Sequence, residues 1–171
     1  MNPEVQVVDG FELARTGSAV EGRVPIRELH RLSAELADMS GAIEYRFACH
    51  VDRLGRPAAT LALSGRLVLR CDRCGEKVDM RLDRNTAFFF VHDEEELTAL
   101  PVTVEDEPEP LLGSSQFDLV ALVEDEAILA IPLSPRHDKC PAKEGESDRP
   151  GVAGAPKPFA GLQRLLRKNG R

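Results

Sequence analysis

Three cysteines and one histidine sit in two short motifs that could meet around one ion. The first is Cys71-Asp72-Arg73-Cys74-Gly75, a C-x-x-C followed by glycine; the second is His137-Asp138-Lys139-Cys140. Two residues between the thiolates let both sulfurs face the same ion, and Gly75 can take the positive φ that curls the backbone around it. Cys71, Cys74, His137 and Cys140 together offer three thiolates and one imidazole, the donor mix of a tetrahedral structural zinc site. A shell filled by protein leaves no position for substrate water, so it staples two segments together and does no chemistry. Competing readings stay open at this point. The cysteines could be reduced and unliganded in a polar turn, and His137 could be a surface residue with Asp138 or water in its place. A redox C-x-x-C is a third reading, but it belongs at the start of a helix in a βαβ setting, and a strand follows here.

The elements that must position these residues show in the alternation on either side of the first motif. From Ala59 to Cys71 every odd position is small or apolar. After it Val78, Met80, Leu82, Thr86, Phe88 and Phe90 fall on even positions. Two period-two runs around a short polar segment predict an antiparallel hairpin with the C-x-x-C at its tip. Ile43, Tyr45, Phe47, Cys49 and Val51 predict a further strand, with Cys49 inward as a small core hydrophobe. Asp52–Pro57 forms the turn that follows. The outward positions of the three strands are expected to carry Arg46, Arg66, Arg70, Lys77, Arg81 and Arg84 as a solvated polar face, the alternative being a modest basic surface around the hairpin.

Pro25 suits the first position of a helix, and Ile26, Leu29, Leu32, Leu36 and Met39 follow at helical spacing, predicting a helix over 26–39 closed by Ser40-Gly41. Asp118 is expected to cap a helix over 119–131 that Pro132 ends. Val5, Val7, Phe11 and Leu13 suggest short edge-strand fragments, residues 92–100 a short helix or loop, and 104–110 an extended acidic linker or an irregular crossing. The resulting fold class is α+β: an antiparallel β-sheet, with partial closure into a barrel left open, flanked by two or three helices. The organisation is a domain over 1–141, a flexible Gly/Pro/Ala-rich linker over 142–156, and a basic C-terminal helix over 157–171. Phe159 and Leu162 lie on the apolar stripe of that helix and Arg164, Arg167 and Lys168 carry its charge, so these are its candidate partner-binding residues. A helix this short must dock to hold in water.

The 171 residues carry a net charge of −7, unevenly spread. No Lys or Arg occurs between Arg84 and Arg136, whereas the last fifteen residues hold five and no acid. A broad basic face for wrapping nucleic acid is therefore not expected. The N-terminus lacks a secretory pattern and no run approaches the roughly 20 apolar residues of a membrane span, which points to the cytoplasm and to reduced cysteines. No Ser-His-Asp order, P-loop or dinucleotide glycine pattern appears, and the acidic runs lack calcium-loop spacing. Catalysis, including a metal-dependent RNA-processing activity with its open metal position, is accordingly not expected.

The order of four separated motifs is more specific than any one of them. They are Cys71-Asp72-Arg73-Cys74-Gly75; Asp118-Leu119 with Val123–Leu133; Pro135-Arg136-His137 with Cys140; and Lys157–Leu162. In this order the sequence resembles the bacterial YceD family, proteins linked to accumulation of the large-subunit ribosomal RNA. The resemblance implies a role in synthesis, processing or stability of 23S ribosomal RNA, hence ribosome biogenesis. It implies a partner in the pre-large-subunit particle, reached through rRNA or a basic ribosomal protein, with no membrane or small-molecule substrate. A protein-binding adaptor acting indirectly on the RNA is the alternative. The closing motif of such proteins commonly begins Asn-Pro-Phe where this chain has Lys157-Pro158-Phe159, so no role for that Asn carries over.

Overall fold

The computed structural model describes residues 7–100 and 108–141. In chain order these form β1 (Val7–Val8), α1 (Gly10–Thr16), β2 (Ala19–Pro25), a 3-10 turn (Ile26–Glu28), α2 (His30–Glu35), β3 (Ala42–Val51) and β4 (Pro57–Arg70). They continue with β5 (Lys77–Val91), α3 (Glu94–Ala99), β6 (Glu109–Leu112), β7 (Phe117–Asp118) and α4 (Leu119–Leu129). The class is α+β. Five strands form one sheet in the order β2-β3-β4-β5-β6, antiparallel except for the parallel β5–β6 pair, and β1 and β7 form a separate two-stranded ladder. The main sheet is open, so the barrel left open by the sequence is not closed. The linker over 142–156 and the C-terminal helix, with Phe159, Leu162, Arg164, Arg167 and Lys168, lie outside the described residues.

The predicted hairpin is the spine of the sheet. β4 and β5 pair from Ala58↔Phe89 to Arg70↔Lys77, which leaves residues 71–76 as the tip. Its inward positions bury Leu61, Leu63, Leu67, Leu69, Leu82 and Phe88, as the alternation requires, and Cys49 of β3 lies among them in the core. Its thiol is pushed up to about 11 by burial, the behaviour of an inert apolar side chain. The helices α1, α2 and α4 cover this face. On the opposite face α3 covers only one end, where Phe89 and Val91 meet Leu97 and Leu100.

Four expectations need correction, two of them here. Phe11 and Leu13 do not lie in strands: Asp9 accepts from the Glu12 N–H (2.9 Å) and starts α1. A two-residue alternation is too short to outweigh a good N-cap. The helix over 26–39 is instead a 3-10 turn followed by a six-residue α2. It stops at Leu36 because Ala37 N–H donates to the Val68 carbonyl (2.7 Å) and Asp38 bridges Val68, occupying the end of β4 that runs past β3. The acidic run on α4 divides between solvent and core. Asp125 is exposed, but Glu124 and Glu126 are buried at 9% and 3% exposure.

Those two carboxylates do structural work that their sequence context hides. α2 has no side-chain cap of its own. Glu124 supplies one from α4, accepting from the backbone N–H of Arg31 (2.7 Å) and Leu32 (3.1 Å) and from the Arg31 guanidinium (2.9 Å). Glu126 accepts from Arg84 Nε (2.8 Å) and the Thr86 hydroxyl (2.6 Å), tying α4 to β5. Arg84 is therefore on the helix-covered face, not among the outward arginines, as its even position demands. The outward cations are largely neutralised in place, Arg46 by Glu21, Arg66 by Asp79, Lys77 by Asp38 and Arg81 by Asp83. Segment 104–110 is not wholly a linker, since Glu109 and Pro110 begin β6; an edge strand tolerates the proline because it has a side with no ladder partner.

Gly22 in edge strand β2 lies directly opposite Tyr45. A Cβ at Gly22 would stand 2.4 Å from Tyr45 Oη and 2.6 Å from Cζ, so the ring packs across the bare glycine backbone and cannot share the space. Gly22→Ala is expected to cost about 1–3 kcal/mol through displacement of this buried ring. Urea unfolding checks it, and a loss under about 0.5 kcal/mol would show that the ring moves freely.

Candidate metal centre

The tip of the β4–β5 hairpin is built before any ion is considered. Gly75 takes φ +79°, its N–H donates to the Cys71 carbonyl (2.8 Å), and Cys71 N–H donates to the Glu76 carbonyl (2.8 Å). This curls residues 71–76 so that Cys71 and Cys74 turn inward at 1% and 9% exposure. The second segment reaches the tip after α4, where Pro132 follows the helix end and Leu133–Arg136 runs on without regular structure. It is held there by Asp72 N–H donating to the Pro135 carbonyl (2.9 Å). The Ser134 hydroxyl donates to Asp72 (2.7 Å) and in turn accepts from Arg136 Nε (3.0 Å).

These contacts bring Cys71, Cys74, His137 and Cys140 together with all their ligand atoms within 4.8 Å of one another. Two of the six spacings are those of a tetrahedron. Bonds of roughly 2.3 Å to sulfur and 2.0–2.1 Å to nitrogen at tetrahedral angles put two sulfurs about 3.8 Å apart and a sulfur and nitrogen about 3.6 Å apart. Cys71 Sγ and Cys140 Sγ are 3.8 Å apart, and Cys74 Sγ and His137 Nδ1 are 3.5 Å apart. No disulfide links them, and Cys49 is the remaining free cysteine, remote in the core.

His137 settles its own tautomer. Its Nε2 lies 2.9 Å from the Lys77 carbonyl, which can only accept, so Nε2 carries the proton. In the neutral ring Nδ1 then has its lone pair free on the side of the thiols. A ring nitrogen anchored to a backbone carbonyl is the usual support of a metal-bound histidine. The reading of His137 as a surface residue replaced by Asp138 therefore does not hold for the geometry: the ring is half-buried and aimed at the sulfurs.

The electrostatics of the two outer cysteines differ. Burial opposes ionisation of Cys71, but backbone N–H groups of Cys74, His137 and Arg73 converge on its sulfur and bring it down to about 5. Cys140 is pushed up, by burial first and then by the neighbouring sulfurs of Cys74 and Cys71. Such a set of preformed sulfur-directed N–H groups stabilises thiolate, the form that binds metal. Among the described residues this is the one group of Cys, His, Asp and Glu that converges in this way. Sequence reasoning named all four residues of this cluster. It missed the positioning groups, the Lys77 carbonyl, Ser134 and the Pro135 carbonyl, because backbone acceptors and a lone serine leave no motif.

Comparison with known proteins gives a consistent picture. A family profile described as "Large ribosomal RNA subunit accumulation protein YceD" matches residues 59–166, which include all four ligands. The chain is 26% identical over 171 aligned positions to a protein of Haemophilus influenzae with the same description, with 94% of this chain and 95% of the relative covered. No solved structure matches. No described helix is long and apolar enough to cross a membrane.

Proposed function

The chain belongs to the YceD family, and from that premise we propose that it supports accumulation of the large-subunit ribosomal RNA as a non-catalytic assembly factor in the cytoplasm. Its one chemical centre would be a structural zinc. The observation that carries this reading is the donor set: three sulfurs and an oriented imidazole within 4.8 Å of one another, with one sulfur–sulfur and one sulfur–nitrogen spacing at tetrahedral values. Three thiolates with one imidazole suit zinc over the harder cations. Four protein ligands leave no coordination position for a reacting water, which a hydrolytic centre needs. The buried carboxylates Glu124 and Glu126 are each engaged by two or more donors, so neither is available as a base.

Two measurements test the reading. Protein purified without chelator should contain one zinc per chain and co-sediment with pre-large-subunit particles. Normal 23S levels in a deletion strain, with no particle association, would count against the role whatever the metal content. RNase treatment of the co-sedimenting complex separates contact through RNA from contact through a ribosomal protein. A 23S precursor cleaved by the purified protein would overturn the non-catalytic assignment.

Loading should also release protons. With Cys71 ionised above about 5 and Cys140 held protonated above the usual thiol range, at least one proton, that of Cys140, must leave at pH 7 when metal binds. Calorimetric titration of apoprotein with zinc in buffers of different ionisation enthalpy reads this number. Buffer-independent heat would show that all the sulfurs are already ionised.

A further inference from the structure

The tip carries a second feature that the metal does not explain. Among the described residues nine arginines and lysines form ion pairs with acids, on every strand pair and helix that bears them. Six have no acidic partner there: Arg23, Arg53, Arg70, Arg73, Arg136 and Lys139. Four of those six are exposed side chains on the two ligand-bearing segments. Arg73 lies between Cys71 and Cys74, and Arg136 and Lys139 flank His137 and Cys140. Arg70 donates to the Gly75 carbonyl (3.0 Å) and Arg136 to the Ser134 hydroxyl, which leaves each guanidinium with further donors.

We propose that this rim of unpaired cations is the phosphate-contacting surface through which the protein touches RNA, with the metal holding its two halves in register. The proposal rests on the ribosomal reading above and names the surface used. One observation favours RNA over a basic ribosomal protein at this place, and two put an RNA contact here and not elsewhere on the molecule. Unpaired guanidinium groups match phosphate oxygens and repel a basic partner. The chain has a net charge of −7, so a polyanion is turned away from the rest of it and admitted at the tip. The broad outer face of the sheet offers no stacking platform: Tyr45, Phe47, Phe88 and Phe90 point into the core and Phe89 is covered by α3, so bases have no aromatic ring on which to stack.

The contact is small. The same two segments also hold Asp72, Glu76 and Asp138, and the formal charge over 70–77 and 134–140 is only +2. A rim of this size neutralises a few phosphates and positions the protein without reading sequence. Arg73, Arg136 and Lys139 sit next to ligands, so loss of the metal would let one half of the rim move away from the other. Metal and RNA binding are therefore coupled in the same direction.

Anisotropy titrations of the zinc-loaded full chain with a labelled 20-base-pair RNA duplex, between about 50 and 200 mM KCl, test this. The expected slope of log affinity against log salt is about −2 to −4. Arg73→Gln with Arg136→Gln should weaken binding about tenfold or more at the lowest salt and take roughly 2 from the slope. Arg23→Gln with Arg53→Gln removes the same charge elsewhere and should change neither. Unchanged zinc content and melting temperature in both variants establish that they fold. If the Arg73/Arg136 variant binds like the wild type, or if the wild type co-sediments with pre-large-subunit particles yet shows no salt-dependent RNA binding, the rim is not the RNA surface, and the ribosomal role itself stands. Wild-type protein that neither co-sediments nor binds RNA overturns both.

Discussion

If the proposed zinc is bound, Cys71→Ser should lose it and melt about 10 °C below the loaded wild type. Serine is the same size and keeps the turn, but its hydroxyl is not ionised at neutral pH, so the tetrahedral shell loses one of its three thiolates. Metal present at about a thousand times its dissociation constant contributes about 4 kcal/mol to the folded state, and that contribution disappears with the site. For a chain of this size each kcal/mol corresponds to roughly 2–4 °C. The effect is one of linkage, so it should not add to chelation: a tight chelator lowers the wild-type melting point by the same amount and leaves Cys71→Ser nearly unmoved. Hydrogen exchange should localise the damage. Amides of residues 134–140 lose protection, whereas the sheet from Ala42 to Leu69, whose core lies elsewhere, keeps it. His137→Ala should follow the same pattern, since its ring donates to the Lys77 carbonyl and cannot be replaced by water without losing that anchor. A Cys71→Ser protein that melts with the metal-loaded wild type would mean that Ser134, Asp72 and Pro135 hold the second segment unaided.

Glu126→Ala should cost about 3 kcal/mol, more than most single substitutions. The side chain is 4% exposed and its Oε2 is the acceptor for both Arg84 Nε and the Thr86 hydroxyl. Truncation strands a buried hydroxyl at Thr86 and a guanidinium only 33% exposed at Arg84. Removing one partner of a buried pair costs about 3–5 kcal/mol, because the other is left uncompensated. Partial exposure of Arg84 puts this case at the low end. The pair is not required for its own sake. Replacing both members by leucine removes both charges together and should recover stability to within about 1–2 kcal/mol of the wild type, whereas Glu126→Gln keeps an acceptor and should lie between. Urea unfolding of the four proteins measures these differences. If Glu126→Ala falls within 1 kcal/mol of the wild type, the helix–sheet contact rests on Leu122, Val123 and Ala127 alone.

These two positions also mark the division between what is local in this protein and what is not. The hairpin, the strand carrying Cys49, the cap at Asp118 and the four ligands were all legible, for one reason: each is announced by neighbours a few residues away. Alternation fixes the face of Leu61 or Phe88 regardless of what covers it, and a C-x-x-C-Gly carries its own turn. The family is legible in the same way, because the order of short motifs survives without knowledge of the fold.

What the chain could not announce is how an element behaves once another packs on it. The apolar spacing from Ile26 to Met39 is genuinely helical, yet the backbone leaves the helix at Leu36 because the overhanging end of β4 offers Val68 as a better partner. Nothing local in the run Glu124-Asp125-Glu126 says which of the three acids faces water. Only the arrival of Arg31 and the α2 amides on one side, and of Arg84 and Thr86 on the other, makes two of the three worth burying. By itself the sequence determined the donors at the metal centre and the strands that carry two of them. Tertiary structure decided that a histidine more than sixty residues away turns the correct nitrogen inward, because that choice is made by a single backbone carbonyl, at Lys77, which every sequence possesses and only a fold can aim.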